Sequence, residues 1–310
     1  MSDLTAAKCA SVAWQKGEES VSIGSTIIKE TILRALATGE GALIGRHGST
    51  ELTWILVQEQ YPNQIDRVRA KAAERFSGVF PSDDPAVSRE FLDEYKAATA
   101  TADVFAACWY QVLSRNEFEY LNRVCPSAMK IPLRSLEPYY SPEATRWTRA
   151  LEGQSVCVVS SFAESMKLQR FKREGIWGDK ADSILPQGIS WHFVRSYFCP
   201  LIAKGKCEWP EGITSWKDAV DYLEREVLAT GARIVLLGCG GLAMPLAGRL
   251  KKAGKIVIVM GGSIQILFGI MGRRWDTHDV ISNFYTPEWV SAREDEVPGG
   301  AMMIEGGCYW

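Results

Sequence analysis

Arg46-His47-Gly48-Ser49-Thr50-Glu51 is the sharpest polar cluster in the first half of the chain, and it follows the apolar run at 41–45. Arg46 would end a strand, and Gly48 allows a tight turn. Glu51 falls in the first turn of the next helix, where the dipole stabilises a carboxylate. An arginine and a glutamate on one strand-end turn can hold an anion and take a proton. The same two residues can also form a plain ion pair, with Glu51 capping its own helix. Ser161 and Glu164 make another polar turn. Their Ser-x-x-Glu spacing is that of a capping box, with contact to a phosphate or hydroxyl as the alternative.

Two further turns are rich in glycine. Gly238, Gly240 and Gly241 follow the apolar run 233–237, and Gly261 and Gly262 follow the run ending at Val259 and Met260. An apolar strand that ends in glycines and leads into a helix leaves backbone N–H groups free to hold phosphate. Ser263 and Gln265 add a hydroxyl and an amide to the second turn. Arg273 and Arg274 lie beyond it and can meet a diphosphate bidentately, or can be a solvated basic helix end. The glycines can also serve only to let helix and strand pack closely. The stretch from Gly238 to Ala243 fits G-x-G-x-x-G/A formally. That fingerprint needs an acidic residue at the end of the next strand to hold a ribose, and here the strand ends in Gly261 and Gly262. Nicotinamide, flavin and S-adenosylmethionine chemistry are therefore disfavoured. His192 is either a base or, as a lone histidine, structural; Arg195 shares its segment. Trp109 and Trp191 either line a sugar or base pocket by stacking or belong to the core.

These turns need strands and helices to position them. Helical spacing covers 25–37 with Gly39 as a stop, 50–60 behind a Ser49 cap, and 214–230, where Trp216, Val220, Leu223 and Val227 share one face. Strands are expected at 41–45, 103–109, 155–160 and 233–237. Strands alternating with helices imply a Rossmann-like α/β fold, with a mainly parallel sheet, helices on both faces and a helix-rich insertion in the first half. In such sheets ligands bind at the carboxyl ends of the strands. We divide the chain into an N-terminal extension at 1–24, one α/β domain at 25–290 and a tail at 291–310. The domain is helix-rich at about 60–150 and glycine-rich at 151–290. The tail reads as mobile or as a lid.

The bulk properties narrow the function class. With 310 residues, 46% hydrophobic, 23% charged and a net charge of −2, the chain has an ordinary enzyme composition and nothing that favours nucleic acid. It has no apolar run long enough for a transmembrane segment and no secretion-signal pattern near its start. The eight cysteines are scattered without a paired spacing, which reads as reduced, mostly buried thiols in a cytoplasmic protein.

The 46–52 segment resembles the R-x-G-D-G-E motif near the N-terminus of glycosyltransferases of the GT-D type. The segments 158–169 and 236–275 resemble the matching portion of a bacterial and viral branch of such proteins. The resemblance implies a nucleotide-sugar donor, with UDP-sugar favoured, and a glycan or glycosylated acceptor. It also implies a divalent metal, Mn²⁺ or Mg²⁺, held through an Asp-x-Glu motif. Carried over, that motif falls on Ser49-Thr50-Glu51: Glu51 matches, and Ser49 stands where the aspartate would be. The substitution removes a charged ligand that a hard cation would want. Either Glu51 holds the metal with water and diphosphate, or Arg46, Arg273 or Arg274 neutralises the diphosphate without one. Glu51 and Arg46 are then the catalytic pair. The donor contacts fall on Gly48, Ser49, Ser161, Glu164, Gly238, Gly240, Gly241, Gly261, Gly262, Ser263, Gln265, Arg273 and Arg274. The alternative function is non-catalytic binding of a nucleotide sugar or glycan on the same fold.

Overall fold

The structure, a computed structural model, describes residues 17–107 and 110–310. Cys9, Cys108 and Trp109 lie outside the described residues. Seven strands form one sheet: β1 (Ala42–Arg46), β2 (Val104–Ala107), β3 (Met129–Pro132), β4 (Ser155–Ser160), β5 (Ser190–Arg195), β6 (Ile234–Gly238) and β7 (Ile256–Val259). Their spatial order is β3-β2-β1-β7-β6-β4-β5, and every ladder is parallel. Near-continuous apolar strands are what a parallel sheet buried on both faces requires. Alternate residues feed opposite cores. Leu43, Val235, Leu237 and Val257 join one cluster with Trp54, Phe91 and Trp216. Ile44, Ile234, Leu236 and Ile256 join the other with Ile28, Ile32 and Trp147.

The helix Glu18–Thr38 buries Ile28, Ile32 and Ala35 and ends at Gly39, whose φ of 75° suits a left-handed cap. It starts inside the segment read as an extension. In the helix Trp216–Ala229 the expected face is buried, and Ser215 and Asp218 form a capping box. The strand expected at 103–109 is described over Val104–Ala107.

Two cap assignments are corrected. The helix Ser49–Gln60 is N-capped by Gly48; Ser49 is already helical, and its carbonyl accepts from the Thr53 hydroxyl at 2.7 Å. Nor do Ser161 and Glu164 form a capping box. The helix Ala163–Gln169 has Phe162 at its N-cap with no side-chain bond. The backbone N–H groups of Glu164 and Ser165 donate instead to the Glu296 carboxylate, at 2.8 and 3.1 Å. Glu296 is fully buried, and its one carboxylate accepts from two helix-end N–H donors together. This contact also pins the 291–310 segment to the body of the fold. Among the described residues no helix is long and apolar enough to cross a membrane.

Candidate functional site

A crevice of about 220 Å³ opens over the carboxyl ends of β1, β7, β6 and β4, the position favoured for ligands in open parallel sheets. Of the sequence-derived candidates, it brings together Arg46, Gly48, Ser49, Glu51, Ser161, Gly238, Gly240, Gly261, Gly262, Gln265 and Arg274. Glu164, Ser263 and Arg273 fall outside its lining. Glu164 lies on the surface, 4.0 Å from Lys167. The Ser263 hydroxyl donates to the Met260 carbonyl at 2.9 Å. Among the described residues, the Arg273 guanidinium reaches the Met302 sulfur, at 3.9 Å. Gly241 sits behind the wall, against Glu51.

Arg46 ends β1 with its guanidinium laid across the turn after β7. It donates to the His47 carbonyl from Nε and Nη2, at 3.3 and 3.1 Å, and to the Met260 carbonyl from Nη1 at 3.3 Å. The glycine at 261 makes this possible. Its φ is +63°, and a Cβ there would lie 2.6 Å from Arg46 Nη1, so a side chain would displace the guanidinium.

Glu51 marks where the two halves of the chain meet. A Cβ on Gly48 would lie 2.1 Å from its Oε2, and one on Gly241 would lie 3.0 Å from its Oε1. The carboxylate is thus held between the first polar turn and the first glycine turn. Glu51 is 5% exposed. Among the described residues no hydrogen bond or salt bridge engages its side chain, so neither the ion pair nor the self-capping arrangement forms. Its charge is felt next door: burial, and then the Glu51 carboxylate, push the Tyr95 hydroxyl well above its usual pKa.

The neighbouring polar residues are turned elsewhere. His47 is buried with its Nδ1 2.8 Å from Glu117 Oε1, among the rings of Tyr95, Phe105 and Tyr120. His192 Nε2 lies 3.1 Å from the Ser155 hydroxyl, at the amino end of β4 and away from the crevice. Trp191 packs on Phe193 and Phe268. Cys239 lines the crevice, but burial pushes its thiol up to about 12, which keeps it protonated and poorly nucleophilic.

Arg274 is held by the 305–310 segment. Its guanidinium donates to the Tyr309 hydroxyl at 3.2 Å and to the Glu305 carboxylate, and it lies 4.6 Å from the Tyr309 ring centre. Its backbone N–H donates to the Cys308 carbonyl at 2.9 Å. The Gln265 amide donates to the carbonyls of Tyr309 and Met271, at 2.8 and 2.7 Å, so its nitrogen braces the chain instead of facing a ligand. The segment read as a mobile tail or lid therefore forms a packed wall of the crevice.

No family model matches this chain, and no curated protein matches it. A solved structure does resemble it. This is "A New Glycosyltransferase (DUF1792) from Streptococcus sanguinis", at 13% sequence identity and a TM-score of 0.43, over 86% of this chain and 93% of that chain.

Sequence reasoning missed three parts of the lining. One is the end of the helix Arg67–Ser77, with Glu74, Arg75 and Phe76; the left-handed C-cap Gly78 was an available sign of where that helix stops, but nothing in the sequence says that its end meets the Gly240 turn. Another is Ser196 to Phe198, just past β5. The last is Tyr309 and Trp310, where two large aromatics beside Gly306 and Gly307 were the available sign of a docked segment.

A cation is poorly provided for. Among the described residues no group of three metal-ligating side chains converges, and Glu51 is the single carboxylate of the 46–51 turn. Its neighbour in the motif, Ser49, offers only a neutral hydroxyl. This donor set does not fit a resident divalent ion, which takes charged or multiple oxygen ligands.

Proposed function

We propose that this protein is a glycosyltransferase that moves a sugar from a nucleoside-diphosphate donor, UDP-sugar being favoured, to a glycan or glycosylated acceptor. One observation carries the reading. Arg46, a Glu51 carboxylate unpaired among the described residues, and both glycine turns line or back a single crevice at the carboxyl ends of β1, β7 and β6. A diphosphate needs positive charge and clustered N–H donors, and a hydroxyl acceptor needs a base. Arg46 supplies the charge and Glu51 the base, and the turns at 238–241 and 261–262 are the proposed source of the N–H donors.

In this mechanism the donor diphosphate lies over the turns at 238–241 and 261–262 against the Arg46 guanidinium. Glu51 takes the proton of the acceptor hydroxyl. The acceptor oxygen bonds to the anomeric carbon as the bond from that carbon to the diphosphate oxygen breaks. The electron pair leaves with the diphosphate, whose growing charge Arg46 and the turn amides stabilise. Arg274 adds positive charge once the donor competes with Glu305 for it. No step runs through a metal ion.

The test is incubation with a panel of nucleotide sugars and a glycan acceptor, with EDTA in one arm and Mn²⁺ in another, following nucleoside diphosphate release. Release that survives EDTA is expected; absence of release with every donor contradicts the reading. The second reading, a non-catalytic binder, is favoured by the serine at 49. It predicts UDP binding without turnover in the wild type and Mn²⁺-dependent turnover in Ser49→Asp.

A further inference from the structure

The crevice is not uniform along its length. At the β1 and β7 end it is charged and glycine-rich. At the β4 and β5 end it is lined by Phe162, Phe198 and Trp310 together with Ser160, Ser161 and Ser196. Phe162 and Phe198 stand 6.2 and 5.8 Å from the Trp310 ring centre, tilted at 68° and 53°. Such tilted rings leave Trp310 unstacked by these neighbours. Its indole nitrogen is fixed by the Glu296 carbonyl at 3.3 Å. The Ser161 and Ser196 hydroxyls are 3.0 Å apart, and each hydroxyl can both donate and accept. Aromatic rings and hydroxyls lining one end of a crevice suit a flat, apolar-faced ring with a polar edge.

This asymmetry sets a direction, provided that the crevice takes the nucleoside-diphosphate donor proposed above. We infer that the nucleobase of the donor lies at the β4 end against Trp310, with its edge toward Ser161 and Ser196, and that the sugar to be transferred points toward β1. Neighbouring strands are about 4.8 Å apart, so the crossing from β4 over β6 and β7 to β1 spans roughly 14 Å. That span leaves room for base, ribose and diphosphate in sequence, with the diphosphate over the glycine turns and the anomeric carbon beside Glu51. The segment around 310 thereby contributes to how tightly the donor's nucleobase is held, although it lies far in sequence from the charged turn. Stacking on an aromatic ring tolerates any base, so discrimination among bases falls to the two serines.

The test compares UDP with inorganic pyrophosphate by calorimetry on the full chain, in wild type, Trp310→Ala and Trp310→Phe, with melting temperatures confirming that each variant is folded. The inference expects Trp310→Ala to weaken UDP about tenfold while leaving pyrophosphate unchanged, and Trp310→Phe to restore most of the UDP affinity. Equal UDP affinity in Trp310→Ala and wild type overturns the orientation and leaves the transferase reading intact. Parallel loss of UDP and pyrophosphate also overturns it, because Trp310 then only supports the wall. Tight UDP binding that depends on Trp310, without turnover of any donor, sustains the orientation and removes the transferase reading. Failure of the wild type to bind either probe removes both.

Discussion

The turn after β1 and the turns after β6 and β7 meet in one crevice but are built from opposite materials. The first brings charged side chains, Arg46 and Glu51, on a strand end and the opening turn of a helix. The others bring almost bare backbone, with glycines at 238, 240, 261 and 262 in the lining. Bare backbone lets the charged turn come close: Gly261 lies under the Arg46 guanidinium and Gly241 against the Glu51 carboxylate. The division suggests that the glycine turns shape the cradle and the first turn performs the chemistry. Substitutions on the two sides should therefore fail in different ways.

The largest effect is expected at Glu51. Glu51→Gln keeps the shape and removes the base, so turnover of a nucleotide sugar should fall about 10²- to 10⁴-fold with UDP affinity nearly unchanged; a matched loss of binding in calorimetry would undo the separation. Arg46→Gln should cost roughly 10²- to 10³-fold in turnover and weaken UDP and pyrophosphate alike, which places Arg46 on the diphosphate instead of the base. Gly240→Ala acts on the other side of the comparison. Gly240 has φ +61°, and a Cβ there would lie 2.8 Å from the Ser77 carbonyl oxygen. The variant should lose about 1–2 kcal/mol of stability and bind UDP less well, read by thermal melting and calorimetry.

The smallest effect serves as the control. Ser215→Ala removes a helix cap remote from the crevice and should cost about 1 kcal/mol with unchanged turnover. Burial acts to raise the Asp218 carboxyl, and hydrogen bonds from Ser215 and Thr214 outweigh it and hold the group below its usual 3.8. A depressed folded pKa gives stability that is full above pH 3.8 and is lost as pH falls through the folded value. The melting difference between wild type and Ser215→Ala should therefore narrow in acid, and a gap that stays constant would place the effect elsewhere.

The strands β1, β2, β4, β6 and β7 were legible because a sheet buried on both faces demands apolar runs, and 155–160 and 233–237 are such runs closed by turn residues; β3 and β5, which form the two edges of the sheet and are only partly buried, were not. The helix at 214–230 was legible from its single apolar stripe. The caps misled because Ser49 and Ser161 have the right chemistry for a local bond, and local spacing is blind to a carboxylate 132 residues away such as Glu296 at the Glu164 N–H. The same limit hid the wall made by Tyr309 and Trp310. Its position depends on the Gln265 amide and the Arg274 backbone, contacts that exist only once β7 and the chain after it are folded. Arg273 and Arg274 are adjacent in sequence and equal in charge. Only Arg274 lines the crevice, because the short turn at 273–275 sends the two side chains apart.

The central claim is that both halves of the chain hold one diphosphate. A crystal structure of the protein soaked with UDP tests it most directly. The account predicts phosphate oxygens within hydrogen-bond distance of the Arg46 guanidinium and of backbone N–H groups in the 238–241 or 261–263 turns, beside an unobstructed Glu51. A diphosphate bound away from Arg46, or a Glu51 carboxylate closed off from the bound nucleotide by packed side chains, would contradict it.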